Sequence, residues 1–123
     1  MKRLKLQDMT ANQLLECFTA IGIEQDQTLL RRRYAKFNRL FDEMVAIEDE
    51  LKTRDGDQRR ELLSLYNHPN AQVRLNAAKV TLAVAPEPAR RALQAIADSR
   101  EYPQAGDAGM SLYNLERGIF KPT

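Results

Sequence analysis

Apolar residues along this chain recur every three or four positions, and no stretch alternates with a period of two convincingly enough to be a strand. That spacing predicts helices. Residues 1–9 read as a frayed or loosely docked lead-in. Thr10 then caps a first helix, with Gln13 as its capping-box partner. Leu14, Leu15, Phe18 and Ile21 form the apolar face, joined by Cys17, and Gly22 with the polar run Glu24–Gln27 ends it. A second helix is expected over residues 28–54, which hold no glycine or proline. Its stripe is Leu30, Tyr34, Phe37, Leu40, Phe41, Met44, Ile47 and Leu51, and Leu30, Phe37, Met44 and Leu51 stand seven apart. Unbroken, about 26 residues would span roughly 39 Å, so part of the stripe would overhang a small domain. Asp55-Gly56 marks a turn.

The stretch Asn67–Ala85 organises the second half of the chain. His68-Pro69 breaks the preceding helix, and Asn70 is a good N-cap. Val73, Ala77, Val80 and Val84, widened by Leu75, Ala78 and Leu82, predict a well-buried helix that Pro86 and Pro88 stop. Before it, residues 57–66 form a shorter helix with Leu62, Leu63 and Leu65 inward. After it come a helix from Pro86 or Glu87 to Asp98 (Ala89, Ala92, Leu93, Ile96) and one from Gln104 to Glu116 (Ala108, Met110, Leu112, Leu115). Gly118 is its C-cap candidate, and the apolar Ile119-Phe120 is expected to fold back.

Asn70, Val73-Arg74, Ala77-Ala78 and Leu82 resemble the second helix of a HEAT repeat, whose pattern is N/D-x-x-V-R-x-x-A-A-x-x-x-L. A shift of 31 residues maps Leu62 to Leu93, Leu65 to Ile96, Ala77 to Ala108, Ala78 to Gly109 and Leu82 to Tyr113. Val73 and Leu75 meet Gln104 and Gly106, so the second copy is degenerate, as terminal repeats often are. The resemblance implies that Arg74 pairs with an acid of the next repeat, Asp107 or Asp98. KFNRLFDEM, GDQRRELL, HPNAQVRLNAAK and QAGDAGMSLYNLERGIF together resemble the bacterial family known as domain of unknown function 2019, over residues 36–123. That family implies an armadillo-like bundle and no established activity. The fold expected is therefore all-α: about six helices as stacked antiparallel hairpins, a HEAT/ARM-like superhelix. It forms a single domain over residues 1–123, with a hairpin at 10–54 and two HEAT-like hairpins at 57–116.

Composition narrows the class without naming a function. Of the 123 residues, 43% are hydrophobic and 29% charged, an ordinary balance for a folded domain. A net charge of +2 is too small to argue for nucleic acid by itself. No apolar run is long enough for a transmembrane helix, and MKRLKLQDMT lacks the apolar core of a signal peptide. The single Cys17 has no internal disulfide partner, which fits a reducing cytoplasm.

Candidate chemistry is sparse. The one histidine, His68, sits in a turn without a nucleophile and carboxylate beside it in sequence. Metal sites normally take three or four ligands, and His68 and Cys17 lie far apart. Cys17 reads as a small buried residue. Asp42-Glu43 and Glu48-Asp49-Glu50 read as a solvated helix face. QAGDAGM matches no phosphate fingerprint; its small residues are expected to let the last helix pack closely on the Asn70 helix. No catalytic, cofactor or metal residue is expected, and no enzyme.

Charge order on the second helix is the informative anomaly. Residues 27–41 carry five cations (Arg31, Arg32, Arg33, Lys36, Arg39) and no anion, and residues 42–50 carry five anions and no cation. On one helix this opposes the macrodipole, partly offset by i,i+4 contacts such as Arg39 with Glu43. A second copy, antiparallel through residues 28–54 and crossing near Leu40-Phe41, would neutralise it. So would a phosphate backbone on Arg31–Arg39, with Tyr34 stacking on a base. A solvated face is the plain alternative. The expected function is a non-enzymatic protein-interaction module, an adaptor or an immunity-like inhibitor. Its contact residues would be Arg31, Arg32, Arg33, Tyr34, Lys36, Phe37, Arg39 and Phe41, with nucleic-acid binding as the alternative.

Overall fold

The computed structural model describes residues 5–123. Residues 1–4 of the expected lead-in lie outside them. Among the described residues the chain is all-helical: α1 (Ala11–Leu30), α2 (Tyr34–Thr53), α3 (Ala71–Val80), α4 (Pro86–Asp98) and α5 (Gln104–Glu116), with 3-10 segments at Leu6–Asp8 and Gln58–Asn67. It divides into two compact units, one ending at Glu61 and the other covering Leu62–Thr123.

In the first unit α1 and α2 form a hairpin. Thr10 and Gln13 make the expected capping box, with Gln13 N donating to Thr10 Oγ1 at 3.1 Å and Thr10 N to Gln13 Oε1 at 2.8 Å. The helix does not stop at Gly22. It runs through to Leu30, with Gly22, Gln25 and Thr28 on its buried face beside Leu14, Phe18 and Ile21. Polar residues in a helix end it only where they outcompete the backbone, and here Thr28 merely donates back to Gln25 O. Cys17 is half-buried. α2 buries Leu40, Met44, Ile47 and Leu51. Arg54 ties the lead-in down, donating to Leu6 O and Met9 O at 3.1 and 2.6 Å while pairing with Glu50 at 2.8 Å.

The expected long second helix is broken at residues 31–33. Arg33 N donates to Thr28 O at 2.8 Å and Arg32 N to Leu29 O at 3.2 Å, while Arg32 holds φ 54. That is a Schellman motif with arginine at the left-handed position that glycine usually fills. Gly118 closes α5 by the same pattern: φ 69, Gly118 N to Leu115 O, and Ile119 N to Asn114 O.

Residues 58–67 form a 3-10 run in place of the expected α-helix. Its buried residues, Arg59, Leu62 and Leu65, recur every three positions, the period of a 3-10 turn. Arg59 is buried because Asp57 holds it from two residues back, at 2.9 Å through Nε and 2.6 Å through Nη2.

In the second unit α3 is almost wholly buried. Asn70 caps it as expected, accepting from Gln72 N and Val73 N at 2.9 and 3.2 Å. It ends at Val80, short of the expected Ala85. Pro86 pushes Ala85 out of the helical region, to φ −146 and ψ 65, and the intervening residues form a turn closed by Ala85 N to Thr81 O at 2.8 Å. Leu75, Ala78, Leu82, Ala89, Leu93, Ile96 and Ala108 form the core, with Leu112 and Leu115 against it. The close approach expected of Gly106 and Gly109 is absent: a side-chain carbon at Gly109 would meet nothing within 4 Å. Gln104, Ala105 and Ala108 are the residues α5 buries. Met110, expected inward, is exposed, as are Ile119 and Phe120 of the tail, although both tail amides turn back to Asn114 O.

Two measurements check this account. Arg32→Gly removes a side chain from left-handed backbone and should leave thermal stability equal or higher. In a continuous helix the same change would cost about 1 kcal/mol. Arg32→Val should lower thermal stability, because a β-branched side chain tolerates left-handed backbone less well than arginine does. Hydrogen bonds from Arg59 hold the Asp57 carboxyl below its usual range. Its folded pKa therefore lies below its unfolded one. The stabilisation is complete above the unfolded value of about 4 and is lost as pH falls through the folded one. The melting-temperature gap between wild type and Asp57→Asn should accordingly narrow on acidification below about pH 4, because asparagine tolerates the left-handed turn at φ 54 but lacks the charge and one of the two oxygens that accept from Arg59.

Candidate interaction surface

Breaking the helix at Arg32 regroups the eight candidate residues. Arg31, Arg32 and Arg33 lie exposed in the turn between α1 and α2. Arg31 and Arg32 close the negative end of α1, where cations are favoured, but Arg33 is also the N-cap of α2, at its positive end. The charge anomaly is thus eased for two of its five cations and stays at Arg33. Lys36 and Arg39 remain near the positive end of α2. The expected Arg39–Glu43 contact does not form: the ion pairs among the described residues are Arg54–Glu50, Arg59–Asp57, Arg74–Glu101 and Lys79–Asp107. Among the described residues these pairs leave out the five basic candidates.

The aromatic members part from Lys36 and Arg39. On an α-helix Tyr34, Phe37 and Phe41 fall within about 60° of one another, flanking the buried stripe Leu40–Met44–Ile47–Leu51. Lys36 and Arg39 fall on its opposite flank. Tyr34 and Phe41 are 59% and 45% exposed and Phe37 is half-buried. Leu30, the last residue of α1, is 81% exposed. The hairpin tip therefore presents Leu30 and three unpaired arginines, continuing into a row of three aromatic rings. Arginine and aromatic rings are the residue types most enriched where interfaces concentrate binding energy.

Leu30 no longer shares a helix with Phe37, Met44 and Leu51, and Met44 and Leu51 are buried. The continuous seven-residue seam expected for a second copy is thus reduced to its Phe37–Phe41 edge.

Elsewhere the candidate chemistry resolves into structure. His68 Nδ1 accepts from Asn70 N at 3.0 Å, a turn contact. Arg74 pairs with Glu101 at 2.8 Å, in place of the implied Asp107 or Asp98, and Asp107 takes Lys79 at 3.1 Å. Among the described residues no group of three or more His, Cys, Asp or Glu is placed to hold a metal, and no helix is long and apolar enough to cross a membrane. Sequence reasoning missed a buried polar chain. Gln104 Nε2 donates to Gln72 Oε1 at 3.1 Å and Gln72 Nε2 to Asn76 Oδ1 at 2.9 Å, linking α5 to α3. Gln72 and Asn76 stand four apart on the most buried helix, and that spacing was the available signal. A second exposed apolar patch was missed too: Tyr113, with Arg117 over its ring at 5.0 Å, near Met110 in the same helix.

If the tip is a contact surface, its rings carry little of the fold. Phe41→Ser should change unfolding free energy by no more than about 0.5 kcal/mol, and Leu40→Ala one position earlier should cost about 2–5 kcal/mol, both read by urea denaturation.

The model of the family described as domain of unknown function 2019 matches residues 12–116. No curated protein matches the chain. Among solved structures, the crystal structure of the protein RPA1889 from Rhodopseudomonas palustris is similar at a TM-score of 0.94 and 55% identity, over 98% of this chain and 100% of that one.

Proposed function

This chain belongs to the family of domain of unknown function 2019, and we propose that it works as a non-enzymatic protein-interaction module whose contact surface is the α1–α2 tip. The observation that carries this is the joint exposure of Leu30, Tyr34 and Phe41 around three arginines that no carboxylate neutralises. Isolated exposed apolar residues are ordinary, but a contiguous group rimmed by charge marks contact surfaces. The partner that fits is a protein face carrying acidic side chains around an apolar patch. An adaptor or an immunity-like inhibitor would use a rigid helical tip in this way. His68 engaged in its turn supports a non-catalytic reading. A HEAT-like description of the second unit draws support from the 31-residue shift, since Leu62 and Leu93, Leu65 and Ile96, and Ala77 and Ala108 are all buried.

Nucleic acid is the second reading, favoured by the exposed Tyr34 beside the arginine turn. Arginines there would track phosphates while the ring stacks on a base. Affinity capture from lysate of the source cell, in nuclease-treated and untreated halves, separates the two. The expected result is a protein band that survives nuclease and is lost from an Arg31/Arg32/Arg33→Glu variant. Capture that disappears with nuclease, and weakens steeply with salt, would favour nucleic acid instead. A second copy is a further occupant. It would double the mass in solution for wild type and leave Phe41→Glu a folded monomer.

A further inference from the structure

We infer that the second unit holds a separate small-ligand site, a groove that takes a monocarboxylate with an apolar body. The groove has a volume of about 360 Å³ and is lined by Arg74, Arg91 and Asn67 on its polar side and by Pro88, Ala92, Ala95 and Ile96 on its apolar side, with Tyr66 between them. That volume lies at the lower end of small-molecule sites, and the mixture of apolar wall and a few polar groups is characteristic of them.

The polar side is under-used by the protein. Glu101 engages Arg74 through Nη2 at 2.8 Å. Arg91 is exposed and makes no ion pair among the described residues, leaving its planar fork of donors open to a carboxylate. Tyr66 does not compete for that carboxylate. Thr81 Oγ1 donates to Ala77 O at 2.7 Å and so accepts from the Tyr66 hydroxyl.

Charge selects the ligand class. Arg74, Arg91 and Glu101 sum to one positive charge, which suits a monoanion better than a phosphate dianion. The four apolar residues leave no polar partner for the rest of the ligand, which must therefore be hydrocarbon. The site is independent of the α1–α2 tip, and neither reading depends on the other.

Octanoate is the probe, titrated into the full chain and followed by backbone amide NMR, with octanamide and inorganic phosphate as comparisons. Octanoate should shift the amides of residues 66–67, 74 and 88–96, and octanamide should do so much more weakly. Arg91→Met should weaken octanoate binding about tenfold. Ala95→Trp, at an exposed position, should fill the groove and abolish the shifts while the spectrum stays dispersed. Shifts absent at millimolar octanoate would overturn the inference. So would shifts elsewhere in the chain, equal binding by Arg91→Met, or tighter binding of phosphate than of octanoate.

Discussion

Arg32 occupies left-handed backbone, a conformation that costs an ordinary residue about 1–2 kcal/mol. The Schellman hydrogen bonds around it repay that cost by closing the last carbonyls of α1. Everything distinctive about the first unit stems from this turn. Because the chain reverses there, the two apolar stripes face each other as a hairpin and do not run on as one rod. Leu30, which a continuous helix would align with Met44 and Leu51, is left outside. Arg31 and Arg32 come to rest where the carbonyl end of α1 favours them, while Arg33 opens α2. A layout that would oppose the dipole of one long helix is, for Arg31 and Arg32, in keeping with the dipole of α1.

The second unit rests on a different constraint. α3 buries eight of its ten residues, two of them amides. Gln72 and Asn76 need partners in the interior, and Gln104 at the start of α5 completes the chain. Apolar packing alone would let α5 slide along its neighbours. The buried amides tie its first turn to one position. Such polar contacts contribute modestly to stability, but a wrong register would leave them unpaired at a larger cost.

Much of this fold was legible in the sequence where local chemistry is strong. The Thr10–Gln13 box, the Asn70 cap, the limits of α4 and α5 and the Gly118 stop rest on residue types with one dominant local preference. The misses share a cause. Nothing in RRRY announces a left-handed residue, because arginine is neither glycine nor asparagine, so an uninterrupted apolar period won by default. Gly22 misled in the other direction: glycine weakens a helix but does not end one that buries the surrounding face. The 3-10 segment differs from an α-helix only in the three-residue recurrence of Arg59, Leu62 and Leu65, and a charged residue at a buried position hides that period. Of the eight candidate contact residues, the turn brings Arg31, Arg32, Arg33, Tyr34, Phe37 and Phe41 to the tip and its aromatic flank. Lys36 and Arg39 are left on the other flank of α2, a division that is invisible until the helix start is known.

The central claim is that the aromatic flank of α2, and not α2 at large, meets a partner. The direct measurement is photo-crosslinking in the source cell, with a benzophenone amino acid placed singly at Tyr34, at Phe41 and at Glu43 on the opposite flank. The account predicts one discrete protein adduct from Tyr34 and Phe41 and none from Glu43. Adducts of equal yield from all three positions, or from Glu43 alone, would contradict it.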